Sequence, residues 1–164
     1  GTKPVMARFV GGGLILLAAV CALWSAGRCR QQRRALLWSL VEALGYMETA
    51  IRWQRMPLPQ VLQTLARREN CGSYFEKVAA MLQSNITLQA AWEKVFRDLP
   101  CGGGDILCRI ALEGDGERLE GALRSAREEL TALCRRREEA DRQQGRVRAA
   151  ALLSAACLLI ILLL

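Results

Sequence analysis

Acidic residues are concentrated in one short stretch of the chain. They are Glu113, Asp115, Glu117 and Glu120. Arg118 is the only basic residue among them. Two interpretations are open: the helix dipole stabilises each acid at a helix N-terminus by typically about 0.3–1 kcal/mol, or the acids form a docking surface for a basic partner protein. The loop from Gln54 to Pro59 is the second candidate for a partner site.

The chain lacks the residue types that most catalytic and metal sites require. It has no histidine, and its seven cysteines are irregularly spaced, without a pair of close Cys-x-x-Cys motifs. A structural zinc site and a histidine-based catalytic site are therefore excluded, and a disulfide framework is not expected. We predict no catalytic residue, no cofactor-binding residue and no metal ligand, and we do not expect an enzyme.

A glycine cluster, Gly102 to Gly104, is the one motif that resembles a phosphate-binding loop. A phosphate loop would need a following Lys and Ser or Thr to meet phosphate and magnesium, and neither follows here. The cluster is better interpreted as a loop between helices, with Asp105 as the N-cap of the next helix.

The elements that must position the acidic residues are predicted to be helices. Between residues 28 and 148 apolar residues recur at spacings of three and four, and no alternating strand pattern occurs. Breaks are predicted at Met56–Pro59, Asn70–Ser73, Ser84–Asn85, Pro100–Gly104 and Glu113–Gly116. The fold class is therefore all-α, a bundle of about six helices flanked by two transmembrane helices. The predicted core includes Leu44, Leu58, Trp92, Phe96, Leu119 and Leu123.

Both ends of the chain are apolar enough to cross a membrane. Residues 9–27 carry no charge, and a helix of this length rises about 28 Å, near the roughly 30 Å thickness of a hydrocarbon core. Residues 149–164 are again uncharged. We therefore divide the chain into a tail (1–8), a transmembrane helix (9–27), a helical domain (28–148) and a second transmembrane helix (149–164).

Two further features of the N-terminal segment bear on its role. A cleaved signal peptide is the alternative interpretation, but Trp24 stands where a small residue is required. Ala18, Ala22 and Ala26 recur at four-residue steps, and small residues permit close helix approach in membranes. This face is predicted to pack against the second transmembrane helix.

The net charge of +7 comes from the residues beside the two apolar segments. Residues 35–141 contain 14 basic and 16 acidic residues, whereas residues 28–34 and 142–148 contain only basic charges. Basic residues beside a transmembrane helix are typical of loops that stay cytoplasmic, next to anionic headgroups. We therefore expect a two-pass protein of the cell membrane with a cytoplasmic middle domain, and no nucleic-acid partner.

The order of these features resembles the stage III sporulation protein AB family of spore-forming bacteria over nearly the whole chain. The residues that carry the resemblance are Trp53 to Ala66, Ser84 to Phe96 with Ala90-Ala91-Trp92-Glu93, and the terminal Leu-Ile-Ile-Leu run. That family in turn resembles a cytoplasmic domain of the F-type platform proteins of type II secretion and type IV pilus systems. Glu113 to Leu119 is similar to the glutamate-glycine turn of those proteins, although Glu117 and Gly121 depart from the family pattern.

The resemblance implies a scaffold in a secretion-like channel between mother cell and forespore. Its partners would be a secretion-type AAA ATPase, the stage III sporulation protein AA, and the other membrane subunits of the channel. The helical domain would lie on the mother-cell side of the outer forespore membrane. A second copy of the chain, in a homo-oligomer, is a further possible partner. A platform component in a non-sporulating organism and a membrane enzyme are the two alternative functions left open.

Overall fold

The computed structural model describes residues 3–99 and 102–164, and within them it contains six α-helices and no strand. The helices are α1 (Lys3–Thr49), α2 (Leu58–Ala66), α3 (Gly72–Gln83), α4 (Leu88–Phe96), α5 (Gly103–Cys108) and α6 (Gly116–Leu163). A π-helical segment, Ala50–Gln54, follows α1 directly. The all-α prediction is confirmed. The predicted break at 100–104 lies partly outside the described residues.

The two apolar segments are not separate helices but the ends of α1 and α6. Residues 28–34 and 142–148 are mostly Arg and Gln, which are good helix formers, and no proline interrupts them. Each helix therefore runs without a break through its arginine-rich stretch. Both contain a stretch long and apolar enough to cross a membrane, none of it buried inside the structure.

The chain forms two compact units. One, here called the anchor pair, comprises the described residues up to 32 and residues 137–164; the other, here called the bundle, comprises the described residues from 33 to 136. Each unit is described by itself below.

The anchor pair consists of two antiparallel helices. A Cβ atom at Gly12 would lie 3.9 Å from Cδ1 of Leu163, so the start of α1 lies beside the end of α6. The half-buried residues of α1 here are Gly11, Gly12, Ala19, Leu23, Ala26 and Arg30, and those of the last turns of α6 are Leu152, Ala156, Leu159 and Leu163.

The predicted packing face of α1 is only partly right. Ala26 is half-buried, but Ala18 and Ala22 are exposed, and Ala19 and Leu23 are half-buried instead. The reason is geometric: a step of four residues turns about 400°, so a stripe at i, i+4, i+8 drifts about 40° per step around the helix. Alternating steps of four and three keep residues on one face of an antiparallel pair.

In the bundle, α1 and α6 again run antiparallel. Cβ atoms at Gly45 and Gly103 would lie 3.4 Å from Nη1 of Arg127 and 3.2 Å from Cδ2 of Leu37, respectively. Gly103 also lies near Leu130, with 3.4 Å between its built Cβ and Cδ1 of that residue. Residues early in this part of α1 therefore lie beside late residues of α6, and the start of α6 lies near the π-helical segment.

An aromatic cluster from α3 and α4 forms the centre of the bundle. The Trp92 and Phe96 rings lie 4.4 Å apart between centroids, and Phe75 lies 6.0 Å from Trp92 and 5.6 Å from Phe96. Leu44, Trp92, Phe96, Leu119 and Leu123 are all buried. Leu58 is only half-buried, although it packs against the core, because it is the first residue of α2 and follows the extended Pro57.

Candidate partner-binding surface

The acidic turn, here defined as residues 113–117, joins α5 to α6 and exposes three carboxylates. Glu113, Asp115 and Glu117 are exposed. Gly114 has φ +128°, a backbone conformation that favours glycine because it has no Cβ. Helix α6 begins with a hydrogen bond of 3.0 Å from the Leu119 N–H to the Asp115 carbonyl. The turn therefore places its acids at the N-terminus of α6, where the helix dipole also stabilises them.

Gln89 on α4 fixes the chain that leads into this turn. Its Oε1 accepts a hydrogen bond of 2.8 Å from the Leu112 N–H, and its Nε2 donates to the Ile110 carbonyl at 3.1 Å. Ile110 and Leu112 are themselves buried. The residues just before the acidic turn are thus held by two hydrogen bonds to the Gln89 side chain and by their own burial, a role for Gln89 that its place in the Ser84–Phe96 stretch did not reveal.

Glu120, the fourth acid of the predicted partner site, forms ion pairs within the bundle. Its Oε1 lies 3.5 Å from Nε of Arg52 and 3.4 Å from Nη2 of Arg124, and only 20% of its side chain is exposed. Arg124 also donates to Oε1 of Glu48 at 3.0 Å. The other Glu48 oxygen lies 3.2 Å from Nη1 of Arg127 without a well-directed hydrogen bond. These five residues are here called the ion-pair network.

The ion-pair network connects the two candidate partner sites of the sequence analysis, the acidic residues and the Gln54–Pro59 loop. Arg52 belongs to the π-helical segment that leads into Gln54–Pro59, and it contacts Glu120 one turn after the acidic turn. The acidic turn and the π-helical segment therefore lie at the same end of the bundle. This end is opposite the one at which the chain enters at 33 and leaves at 136.

Sequence reasoning missed three residues of this end. Glu48 is the one charged residue that is buried in the described part of the chain, and it stands on an otherwise apolar face of α1, a signal that could have indicated a buried ion pair. Arg52 and Trp53 were assigned to the end of a regular helix. No feature of the sequence pattern indicates a π-helical segment there.

The glycine cluster contributes to packing in this structure. Gly102 has φ +79° and caps α5, whereas Asp105 lies in the first turn and is not the N-cap that was predicted. A Cβ at Gly104 would lie 2.6 Å from the Phe96 carbonyl oxygen. A left-handed cap and this close approach both require glycine, which accounts for these residues without a phosphate ligand.

Five of the described cysteines are free thiols, namely Cys21, Cys29, Cys71, Cys108 and Cys157. Burial raises the pKa of the Cys108 thiol, and the nearby Glu93 carboxylate raises it further. A thiol in this environment is held protonated and poorly nucleophilic. In the described part of the chain, no three His, Cys, Asp or Glu side chains are grouped so that they could hold a metal ion.

These observations define a class of protein: a helical bundle whose first and last helices extend into candidate membrane spans, with a charged surface at one end of the bundle. A comparison with known protein families gives the family. The chain belongs to the stage III sporulation protein AB family, whose model matches residues 8–164. No curated protein and no solved structure matches the chain significantly.

Proposed function

We propose that this protein is a membrane-anchored scaffold subunit of a secretion-like channel used in sporulation, and that its bundle docks a secretion-type AAA ATPase, the stage III sporulation protein AA. Membership of a sporulation family supports the sporulation role over a platform role in a non-sporulating organism. The protein has no chemical step of its own in this proposal. It works by binding.

The acidic turn is the observation that carries the docking proposal. Its three exposed carboxylates follow directly after Ile110 and Leu112, whose backbone groups are held by hydrogen bonds to Gln89. A fixed cluster of one charge attracts a partner of the opposite charge and sets its orientation. The occupant is therefore a basic surface of the ATPase.

The arrangement in the membrane follows from the arginines. Arg28 to Arg34 and Arg142 to Arg148 flank the two candidate spans, and basic flanks stay on the cytoplasmic side. The bundle would lie in the mother-cell cytoplasm, where an ATPase has access to it. The two spans would contact the other membrane subunits of the channel.

Charge reversal at the acidic turn tests this proposal. In the full chain in nanodiscs, Glu113→Lys, Asp115→Lys and Glu117→Lys together should abolish co-purification with the ATPase. Glu120 is left unchanged because replacing it would break the ion-pair network and confuse binding with stability. The matched control reverses three other exposed acids of the bundle, Glu76, Asp98 and Glu128, and so changes the net charge equally.

The control variant should bind like the unmodified protein. Both variants should keep a helical circular dichroism spectrum, because the dipole interaction of each of the three acids contributes only about 0.3–1 kcal/mol. Full binding by a well-folded acidic-turn variant would show that the ATPase docks elsewhere. Equal loss in both variants would show that only overall charge matters.

A further inference from the structure

Trp53 is exposed in a part of the molecule where other large apolar side chains are covered. Its exposed fraction is 73%, whereas Trp92 is fully buried. Among the described bundle residues, 33–99 and 102–136, no other large apolar side chain is exposed. An isolated, exposed tryptophan contributes nothing to the core, and tryptophan is among the residues most enriched where a few side chains dominate the binding energy of an interface.

The local backbone holds Trp53 in one place. Residues 50–54 form a π-helical turn, and Arg55 ends it with φ +45°, a left-handed conformation that is uncommon for a residue other than glycine. The backbone N–H of Arg55 and that of Met56 both donate to the Ala50 carbonyl. Such π-helical turns occur frequently at functional sites.

Arg52 holds the ring and connects it to the rest of the surface. Its guanidinium carbon lies 5.1 Å from the centroid of the Trp53 ring, within the range of a cation–π contact. The same guanidinium pairs with Glu120 in the ion-pair network. The Trp53 ring is therefore in contact with a side chain that is itself ion-paired, and a side chain restricted by such contacts loses less conformational entropy when a partner binds.

The charges around Trp53 differ from those of the acidic turn. Arg52 and Arg55 flank the ring in sequence, and Arg55 is exposed. The acidic turn, one helical turn from Glu120, carries the opposite charge. A partner that covers this end of the bundle must therefore present an apolar pocket beside carboxylates for the arginines, next to basic residues for the acidic turn.

We propose that Trp53 is the apolar anchor of the docking surface and inserts into such a pocket on the ATPase. This inference rests on the proposed function and deepens it. The acidic turn selects and orients the partner, because charge complementarity acts mainly on association and specificity. Trp53 supplies the buried contact that slows dissociation.

The test measures the affinity of the full chain in nanodiscs for the ATPase. Trp53→Ala should weaken binding by about thirtyfold or more, mainly through faster dissociation. Trp53→Phe keeps an aromatic ring and should recover part of that loss. Gln63→Ala is the control, because Gln63 is exposed on α2 and lies outside both candidate partner regions, and the affinity of this variant should be unchanged.

Each alternative outcome has a definite meaning. If the unmodified chain binds and Trp53→Ala binds equally well, Trp53 is not an anchor, while the proposed function stands. If the unmodified chain does not bind the ATPase, the proposed function and this inference both fail. The inference also fails if brominated lipids in the nanodisc quench fluorescence that Trp53→Phe removes, because Trp53 then contacts the membrane.

Discussion

Trp92 shows how one side chain organises the bundle. Its ring contacts Phe75 and Phe96, and its Nε1 donates a hydrogen bond of 2.9 Å to the Leu107 carbonyl. It therefore joins α3, α4 and α5 with both apolar and polar contacts. The indole N–H is a second donor to the Leu107 carbonyl, which also accepts the Ile110 N–H, and an aromatic residue without a donor could not supply it.

Replacing Trp92 should destabilise the bundle strongly. Trp92→Ala removes the largest fully buried side chain and should cost about 3–5 kcal/mol, measured as a lower midpoint of thermal unfolding in detergent. Trp92→Phe should cost less, about 1–3 kcal/mol, because it keeps an aromatic ring in the core and loses part of the side-chain volume and one hydrogen bond to the Leu107 carbonyl, which still accepts the Ile110 N–H. Trp53→Ala is the control and should change the free energy of unfolding by less than about 0.5 kcal/mol.

An unchanged midpoint in Trp92→Ala would contradict the buried position of Trp92.

The contrast between the two tryptophans, Trp92 and Trp53, shows what the sequence pattern predicts for a single residue and what it does not. Trp92 lies on a helical stripe with Val95 and Phe96, and the stripe predicts its burial. Trp53 stands six residues after the buried Met47, about 240° around a regular helix, so the spacing places it off the buried face without indicating what it contacts.

At the scale of elements, ion pairs of Glu48 with Arg124 and Arg127 join α1 to α6 in the bundle, while α3 packs closely against α2 and α4. Their positions as helices follow from apolar periodicity and from the turns between them, and these could be predicted. The ion-pair network could not, because Glu48 and Arg124 are 76 residues apart and their contact depends on the register between two helices. For the same reason the fourth acid of the predicted cluster, Glu120, is an ion-pair partner within the bundle.

The ion-pair network should stabilise the α1–α6 pair through Glu48. Only 10% of the Glu48 side chain is exposed, and it meets two arginines. Glu48→Gln keeps the shape but removes the charge, and should cost about 1.5–3 kcal/mol, the range for hydrogen bonds to charged groups. The matched control is Glu42→Gln, because the Glu42 side chain is 72% exposed and pairs with Arg68 at 3.5 Å; it should cost at most about 1 kcal/mol.

Thermal unfolding of both variants in detergent, followed by circular dichroism, gives the comparison. A double-mutant cycle with Arg124→Gln should show a coupling energy, since removal of either charge removes the same contact. Equal, small effects of Glu48→Gln and Glu42→Gln would mean that water screens the Glu48 pair as fully as the surface pair.

At the scale of the whole molecule, the basic residues and the ends of the apolar stretches mark the same positions, where each candidate span would meet the lipid headgroups. The guanidinium carbon of Arg28 lies 4.2 Å from the Trp24 ring centroid, at the end of the uncharged segment of α1. Tryptophan and arginine are both enriched where a transmembrane helix meets the headgroups. The apolar segments and their flanks could be read from composition, because each property depends on neighbouring residues and not on long-range contacts.

The orientation in the membrane is a prediction that rests on these arginines. Alkaline phosphatase, which is active only where its disulfides form, should be active when fused after Leu164 and inactive when inserted between Ser84 and Asn85. Replacing Arg28, Arg30, Arg146 and Arg148 by Gln should weaken this difference, because the basic flanks determine which side stays cytoplasmic. Replacement of Arg67, Arg97, Arg109 and Arg118, which lie far from the apolar segments in sequence, serves as the control for lost charge. Activity at the internal position, with none after Leu164, would invert the topology and remove the bundle from any cytoplasmic ATPase.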